Sequence, residues 1–148
     1  MSWQTAEEVV RALGLEPHDE GGFFRRTYTA AGAPPRLTCI YYLLTRDSPR
    51  ARLHANRSDI HIFHQRGGLI RYLLIPPDGR LVEETVGHDQ LQLTVPGGWW
   101  KAADLVDGDY ALIGEAVSPG FDYADRRLAT PAVLQQWPAL SVRLLPYL

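Results

Sequence analysis

The chain has 148 residues, 45% of them hydrophobic, which is the size and composition of one ordinary globular domain. Fifteen basic and seventeen acidic residues give a formal net charge of −2, which argues against a nucleic-acid-binding protein and against a polybasic membrane anchor, because both need a basic excess. Since no stretch approaches the roughly 18 apolar residues of a membrane-spanning helix, and no signal-peptide pattern is present, we expect a single cytoplasmic domain over residues 1–148 with no membrane partner.

The predicted elements begin with one short helix and continue as strands. Thr5 and Glu8 have capping-box spacing and Gly14 suits a helix end, so we predict a helix over residues 5–13. Segments rich in aromatic and β-branched residues then predict strands, with Gly, Pro and Asp turn signals between them. These strands cover residues 23–29, 37–45, 60–65, 69–75, 81–86, 91–95, 99–105 and 110–117. A short C-terminal helix is predicted over residues 131–137, because proline suits its first position.

Many short strands at regular spacing are typical of a β-sandwich or a β-barrel. The fold class predicted here is therefore all-β, as an antiparallel jelly-roll barrel with a short helix at each end.

Several motifs carry a resemblance to a known family. Residues 17–28 read PHDEGGFFRRTY, residues 95–103 read VPGGWWKAA, and residues 117–123 read VSPGFDY. Between them lie Leu53-His54, Ser58-Asp59 and Gly67. In this order and spacing the chain resembles a cupin-5-like group of small, mostly uncharacterised cupin-superfamily proteins, over about residues 13–130. The resemblance implies a double-stranded β-helix, the cupin jelly-roll barrel, usually assembled as a homodimer.

The resemblance also raises the question of a metal. Cupins commonly hold a metal through two histidines and a glutamate in one motif and a histidine in a second. With Gly67 as the closing glycine, His54 matches the first histidine, and Asn56 and Ile60 stand at the second histidine and the glutamate. Lys101 stands at the histidine of the second motif. The related group usually has glutamate at position 60 and histidine at position 63, where this chain has isoleucine and phenylalanine.

One ligand of four therefore remains, and we expect no metal or other cofactor. If position 60 faces the barrel interior, Ile62 and His64 face inward as well, and His61 faces outward, since side chains alternate along a strand. A transition metal held by His54 and His64 is the alternative, although two histidines with no carboxylate make a poor permanent site.

A small barrel can hold one small ligand in its interior. Histidine is a natural general acid or base, and a buried lysine can act as an acid, a base or an anion holder. The predicted catalytic residues are His54, His64 and Lys101. The predicted ligand-binding residues are Arg25, Tyr42, Asn56 and Trp99, with Tyr41 replacing Tyr42 if the opposite face points inward. For Arg25, a salt bridge with Glu20 is the competing interpretation.

Three functional hypotheses follow. The first is a cupin that binds a small polar metabolite, such as a sugar or nucleotide-sugar derivative, and catalyses metal-independent acid–base isomerisation or epimerisation. A metal-free barrel with histidine and tyrosine resembles the sugar-nucleotide epimerase branch of the cupins. The second is a metal-dependent, dioxygenase-like cupin with an incomplete ligand set. The third is a non-catalytic ligand-binding or scaffold dimer.

Overall fold

A computed structural model describes residues 3–148. It contains the helices α1 (Ala6–Leu13), α2 (Pro131–Leu134) and α3 (Ser141–Leu144). The strands are β1 (Glu16–Pro17), β2 (Phe23–Thr29), β3 (Thr38–Thr45), β4 (Arg50–Ala55), β5 (Asp59–Gly67), β6 (Ile70–Ile75), β7 (Val82–Val86), β8 (Gln92–Val95), β9 (Trp100–Leu105), β10 (Tyr110–Ser118) and β11 (Arg127–Leu128). Single turns of 3₁₀ helix cover Tyr123–Asp125, Pro138–Leu140 and Leu145–Tyr147. None of the helices within residues 3–148 is long and apolar enough to cross a membrane.

The strands form two antiparallel sheets. One sheet has six strands in the order β1-β2-β3-β10-β5-β8, and the other has five in the order β11-β4-β9-β6-β7. The main core lies between the sheets and includes Leu44, Ile62, Ile70 and Ile113. This arrangement is the jelly roll that the strand pattern predicts, and the all-β fold class is confirmed.

Both sheets are covered on their outer faces as well. Val9 of α1 packs with Leu43 and Leu112 on the outside of the six-stranded sheet. Leu73 and Leu144 belong to a third cluster, between the five-stranded sheet and the C-terminal segments. Because strands with both faces buried are apolar at almost every position, β3 is apolar between its terminal threonines and β6 is apolar except for Arg71.

The predicted helices agree with the structure in different degrees. In α1 the Thr5 hydroxyl accepts the Glu8 backbone N–H, the Glu8 carboxylate accepts the Thr5 N–H, and Gly14 ends the helix in the left-handed region with φ of 63°. The capping-box prediction is therefore confirmed. The predicted C-terminal helix is too long, because α2 ends at Leu134 and the chain continues in short helical turns.

Three strands were not predicted. β1 and β11 have two residues each, too short to carry a periodic signal. β4 was missed because Arg50, Arg52 and His54 interrupt its apolar residues. β4 is nevertheless well buried and lies beside β9 in the five-stranded sheet.

A buried carboxylate anchors the C-terminal segment to the five-stranded sheet. Asp104 is buried and accepts hydrogen bonds from Arg50 Nε at 3.2 Å and Arg71 Nη2 at 3.1 Å. The Tyr147 hydroxyl also donates to Asp104, and the Arg50 guanidinium lies 5.5 Å from the centre of the Tyr147 ring. A buried carboxylate needs such donors to offset its lost hydration.

We expect Tyr147→Phe to lower the free energy of unfolding by about 1–3 kcal/mol, because it removes a hydrogen bond to a buried charged group. Tyr28→Phe is the control, since Tyr28 is 55% exposed, and it should change stability by less than about 0.5 kcal/mol. Urea unfolding followed by tryptophan fluorescence measures both variants. Equal stabilities of the two variants would contradict the anchoring role of Tyr147.

Candidate functional site

A cavity of about 400 Å³ lies between the two sheets at one end of the barrel. Its walls come from inward-facing side chains of β2, β3, β4, β6, β9 and β10, and from loop residues near positions 20 and 121. The polar and aromatic groups of this wall are His18, Glu20, Phe24, Arg26, Thr38, Tyr42, His54, Asn56, Tyr72, Lys101, Glu115, Phe121, Asp122 and Tyr123. A cavity of this size, with apolar walls and a few polar groups, is typical of a small-molecule site.

A β-bulge brings His54 into the cavity. Ala51 pairs with Ala103 and His54 pairs with Lys101, so β4 contains one more residue than β9 between these two residue pairs. Ala51 and His54 therefore both line the cavity, while Leu53 lies in the cluster on the outer face. Bulges commonly re-aim a side chain in this way next to functional sites.

The backbone of Arg52, inside this bulge, fixes the orientation of His54. The His54 Nδ1 lies 2.8 Å from the Arg52 carbonyl oxygen, which can only accept, so Nδ1 carries a proton. The His54 Nε2 then lies 3.6 Å from Glu20 Oε1. Burial lowers the pKa of His54, and Lys101 adds to this while Glu20 opposes it. His54 is therefore a neutral imidazole at neutral pH, with the lone pair of Nε2 available to accept a proton.

The turn at residues 18–22 presents Glu20 to His54. The Arg52 N–H donates to the Glu20 carbonyl oxygen at 2.7 Å, which joins the turn to the bulge. Gly21 and Gly22 have φ of 100° and 71°, and a Cβ on Gly21 would lie 2.0 Å from the Arg50 carbonyl oxygen. Only glycine fits such a close approach of two backbones.

Arg126 holds the acidic residues of this turn. It donates to both carboxylate oxygens of Asp19 at 2.7 and 2.8 Å, and to Glu20 Oε2 at 3.0 Å. The hydrogen bonds from Arg126 lower the pKa of Asp19 to about 2. Burial alone would raise the pKa of Glu20, but the nearby His54, His18, Lys101 and Arg126 outweigh it and lower that pKa. Glu20 is therefore a carboxylate although it is buried.

A second ion pair joins the two sheets across the cavity. Lys101 Nζ on β9 donates to Glu115 Oε1 on β10 at 3.3 Å, and both side chains are almost inaccessible to solvent. The same ammonium group lies 5.9 Å from the centre of the Tyr72 ring. The cavity thus contains a fixed cation beside a neutral phenol, because burial raises the pKa of Tyr72 and Glu115 raises it further.

Two fully buried side-chain atoms of the cavity wall have no hydrogen-bond partner within residues 3–148. They are Asn56 Oδ1 and the hydroxyl oxygen of Tyr72, a residue that is 2% exposed. By contrast, the Tyr42 hydroxyl donates to the Gly21 carbonyl oxygen at 2.6 Å. An unpaired buried polar group is costly unless something else satisfies it, and among the described residues these two atoms are the buried wall groups that lack a partner.

Four of the predicted site residues meet in the cavity. Tyr42, His54, Asn56 and Lys101 all line it. Tyr41, the alternative to Tyr42, packs with the outer cluster below α1.

The other three predicted site residues lie outside the cavity. Arg25 is on the outer face of β2, with its guanidinium 5.8 Å from the centre of the Tyr41 ring, and Glu20 pairs with Arg126 rather than with Arg25. Trp99 packs against the main core. His64 pairs with Ile113 beyond the end of the cavity, and its Nε2 lies 2.8 Å from the Gly68 carbonyl oxygen.

Sequence reasoning missed several groups of the site, above all His18, Glu20, Tyr72 and Glu115. His18 and Glu20 belong to the PHDEGG motif, and this motif was the signal that could have identified them as site residues. The Glu20 N–H donates to His18 Nδ1 at 3.0 Å, and His18 Nε2 lies 3.8 Å from Glu20 Oε1. Tyr72 and Glu115 sit in ordinary strand patterns and carried no signal of their own.

The residues at the cupin ligand positions do not fit a metal. His54 offers a free Nε2, but Ile60 is buried in the main core and offers no donor atom. Lys101 places an ion-paired ammonium group where the last histidine would stand, and an ammonium has no lone pair for a metal. Within residues 3–148, one group of potential metal ligands converges, at positions 18–20. Arg126 already bonds both of its carboxylates.

Comparison with known proteins confirms the family resemblance. A family model described as Cupin superfamily (DUF985), Cupin_5, matches residues 7–129. An uncharacterised protein of Saccharomyces cerevisiae, YML079W, is 35% identical, and the match covers 80% of this chain and 72% of the yeast protein.

Solved structures show the same architecture. A hypothetical protein from Leishmania major has a TM-score of 0.88 at 27% identity and covers 97% of this chain and 98% of its own. Protein SO0799 from Shewanella oneidensis has a TM-score of 0.91 at 26% identity and covers 98% of each chain. Oxalate decarboxylase from Bacillus subtilis has a TM-score of 0.64 at 14% identity, and the match covers 89% of this chain and 36% of the decarboxylase. The last likeness shows a shared fold alone.

Two tyrosine variants on the cavity wall should behave differently. Tyr42→Phe should lower the free energy of unfolding by about 1–2 kcal/mol, because it removes the hydrogen bond to the Gly21 carbonyl oxygen. Tyr72→Phe should leave it within about 0.5 kcal/mol of the wild-type value, because the lost hydroxyl has no partner. Chemical denaturation of both proteins without ligand checks this, and an equal loss in both would mean that the Tyr72 hydroxyl is already satisfied.

The state of His54 predicts a pH dependence of stability. As pH falls through about 6.5, the unfolded chain takes up a proton at this position and the folded chain does not. The free energy of unfolding should therefore fall between about pH 7 and pH 5, by at most about 1.4 kcal/mol per pH unit from this residue. His54→Gln should flatten that slope. His61→Gln, on the outer face beside Thr94, is the control for loss of one histidine, and an identical slope in both variants would contradict the assignment.

Proposed function

The chain belongs to the Cupin_5 family of the cupin superfamily, and from this premise we propose that it binds a small polar metabolite and catalyses metal-independent proton transfer on it. The reaction class is isomerisation or epimerisation beside a carbonyl group, and a sugar or nucleotide-sugar derivative is the substrate class. The observation that carries the proposal is a neutral, oriented His54 in a cavity where the Tyr72 hydroxyl and Asn56 Oδ1 lack partners.

His54 supplies the general base. Its Nδ1–H is held by the Arg52 carbonyl oxygen, so Nε2 is the nitrogen that accepts a proton from the substrate. The imidazolium that forms is stabilised by the Glu20 carboxylate, with Oε1 3.6 Å from Nε2. A carboxylate beside a catalytic histidine is a common way to stabilise the protonated ring.

Lys101 and Tyr72 supply the complementary groups. Removal of a proton beside a carbonyl places negative charge on the carbonyl oxygen, and a fixed cation at a buried position stabilises such charge. Lys101 is the cation that Glu115 holds in the cavity. Tyr72 keeps its proton, since burial raises its pKa, and donates that proton to the substrate. His54 then returns its proton, and Tyr72 regains one, through solvent after product release.

Deuterium incorporation tests the catalytic part of the proposal. Nucleotide-sugars and keto-sugars that raise the melting temperature of the protein are incubated with it in D₂O, and proton NMR follows exchange at the carbon beside the carbonyl. We expect exchange with the wild type, a loss of at least about a hundredfold with His54→Gln, and a smaller loss with Tyr72→Phe, because His54 can still exchange the proton with solvent. His61→Gln is the matched control and should keep the wild-type rate. Binding without exchange for every compound that binds would favour the non-catalytic hypothesis instead.

Metal content separates the proposal from the metal-dependent alternative. Tag-free protein incubated with Fe, Mn, Ni or Zn salts and then desalted should contain less than one metal per chain by plasma mass spectrometry. The Lys101 ammonium and the apolar Ile60 are the physical reasons. Stoichiometric metal that His54→Gln abolishes, together with oxygen consumption, would contradict metal-independent chemistry.

A further inference from the structure

We infer that the ligand of this cavity carries an oxyanion group, a carboxylate or a phosphate, and that Arg26 binds this group at the cavity mouth. The inference rests on the proposed function only in assuming that the cavity binds a ligand. It adds a residue that anchors the ligand on the opposite side of the cavity from His54. It also adds the charge of the ligand that this residue selects.

The acidic groups of the cavity wall are already engaged. Glu20 is bonded by Arg126, and Glu115 is bonded by Lys101. Asp122 Oδ1 accepts the Ala124 N–H at 2.9 Å in its own turn.

Arg26 is the cation of the cavity wall that lacks a carboxylate. Within residues 3–148 no acidic group forms an ion pair with it, and its contact is with the Phe121 ring, whose centre lies 6.0 Å from the guanidinium. Arg26 is exposed, so it stands where the cavity opens to solvent. A contact with an aromatic ring leaves the N–H donors of a guanidinium free to bind a second group.

The strand register sets the distance between this cation and the proposed reaction centre. Arg26 pairs with Ile40, and Ile40 pairs with Glu115, so the three side chains form one row across the inner face of the sheet. Two strand spacings separate Arg26 from Glu115, or about 10 Å between backbones. Glu115 holds Lys101, so this distance also separates Arg26 from Lys101 approximately. One metabolite can therefore place an oxyanion at Arg26 and a carbonyl group at Lys101.

The chemistry favours an oxyanion over other partners. A guanidinium presents parallel N–H donors that match two oxygens of a carboxylate or phosphate, and such charge-assisted bonds are about twice as strong as neutral ones. A neutral sugar hydroxyl would leave the charge of Arg26 unused. The ligand therefore combines an anionic end at the mouth with an uncharged, reactive end near His54 and Tyr72.

A matched pair of fluorescent probes tests the inference without knowledge of the natural ligand. 8-Anilino-1-naphthalenesulfonate carries a sulfonate oxyanion, and N-phenyl-1-naphthylamine has the same rings without it. We expect the wild type to bind both, and Arg26→Gln to weaken the sulfonate about tenfold while leaving the uncharged probe unchanged. Arg25→Gln is the control, because it removes the neighbouring cation from the outer face of the same strand, and it should change neither affinity.

Two further measurements show where the probes bind and whether the charge of the sulfonate determines its affinity. Ile40→Trp, which fills the cavity from a half-buried position on its wall, should abolish binding of both probes. Sodium phosphate or sodium acetate should displace the sulfonate probe at lower concentrations than sodium chloride, and the more effective salt names the oxyanion type. Equal displacement by all three salts, or equal losses in the Arg26 and Arg25 variants, would overturn the inference.

The two proposals fail differently. If Arg26→Gln leaves the sulfonate affinity unchanged while both probes bind the cavity, the oxyanion site is wrong and the role of His54 is untouched. If the charge preference holds but no bound compound exchanges deuterium, the oxyanion site stands and the catalytic proposal fails. If neither probe binds the wild type, the assumption of an accessible cavity is wrong and the inference falls with it.

Discussion

The cavity depends on the ion pair between Lys101 and Glu115, which connects the two sheets across the barrel interior. Charges of this kind are expensive to bury and remain only where a partner is fixed in place. At the cavity end of the barrel, ion-paired groups take the place of apolar packing. The opposite end is filled by apolar side chains, where Ile62, Ile70 and Ile113 meet. The barrel therefore has a dry half that stabilises the fold and a polar half that can receive a ligand.

Much of the fold was predictable from the sequence because its signals are local. The capping box of α1, the turn residues and the apolar runs each act over a few neighbouring positions, and the structure confirms the elements that they predict. β4 was missed because polar residues interrupt its apolar pattern: Arg50 bonds Asp104 and His54 belongs to the cavity. The homodimer implied by the resemblance stays a prediction.

The candidate site was only partly predictable, because alternation along a strand gives two faces without saying which one is inside. Both faces of β3 are covered, so Tyr41 and Tyr42 were equivalent in the sequence. His64 has the expected inward face but lies too far along β5. The bulge that turns His54 inward left no mark in the sequence, and Glu20 reaches His54 only through the fold.

The close contact of Gly21 with the backbone of β4 has a thermodynamic consequence. A turn that is seated against a strand without intervening side chains loses its conformational entropy when the protein folds, not when a ligand arrives. Glu20 therefore already stands beside His54 in the absence of substrate. Ligand affinity then reflects the contacts made in the cavity, with little subtracted for ordering the residues that make them.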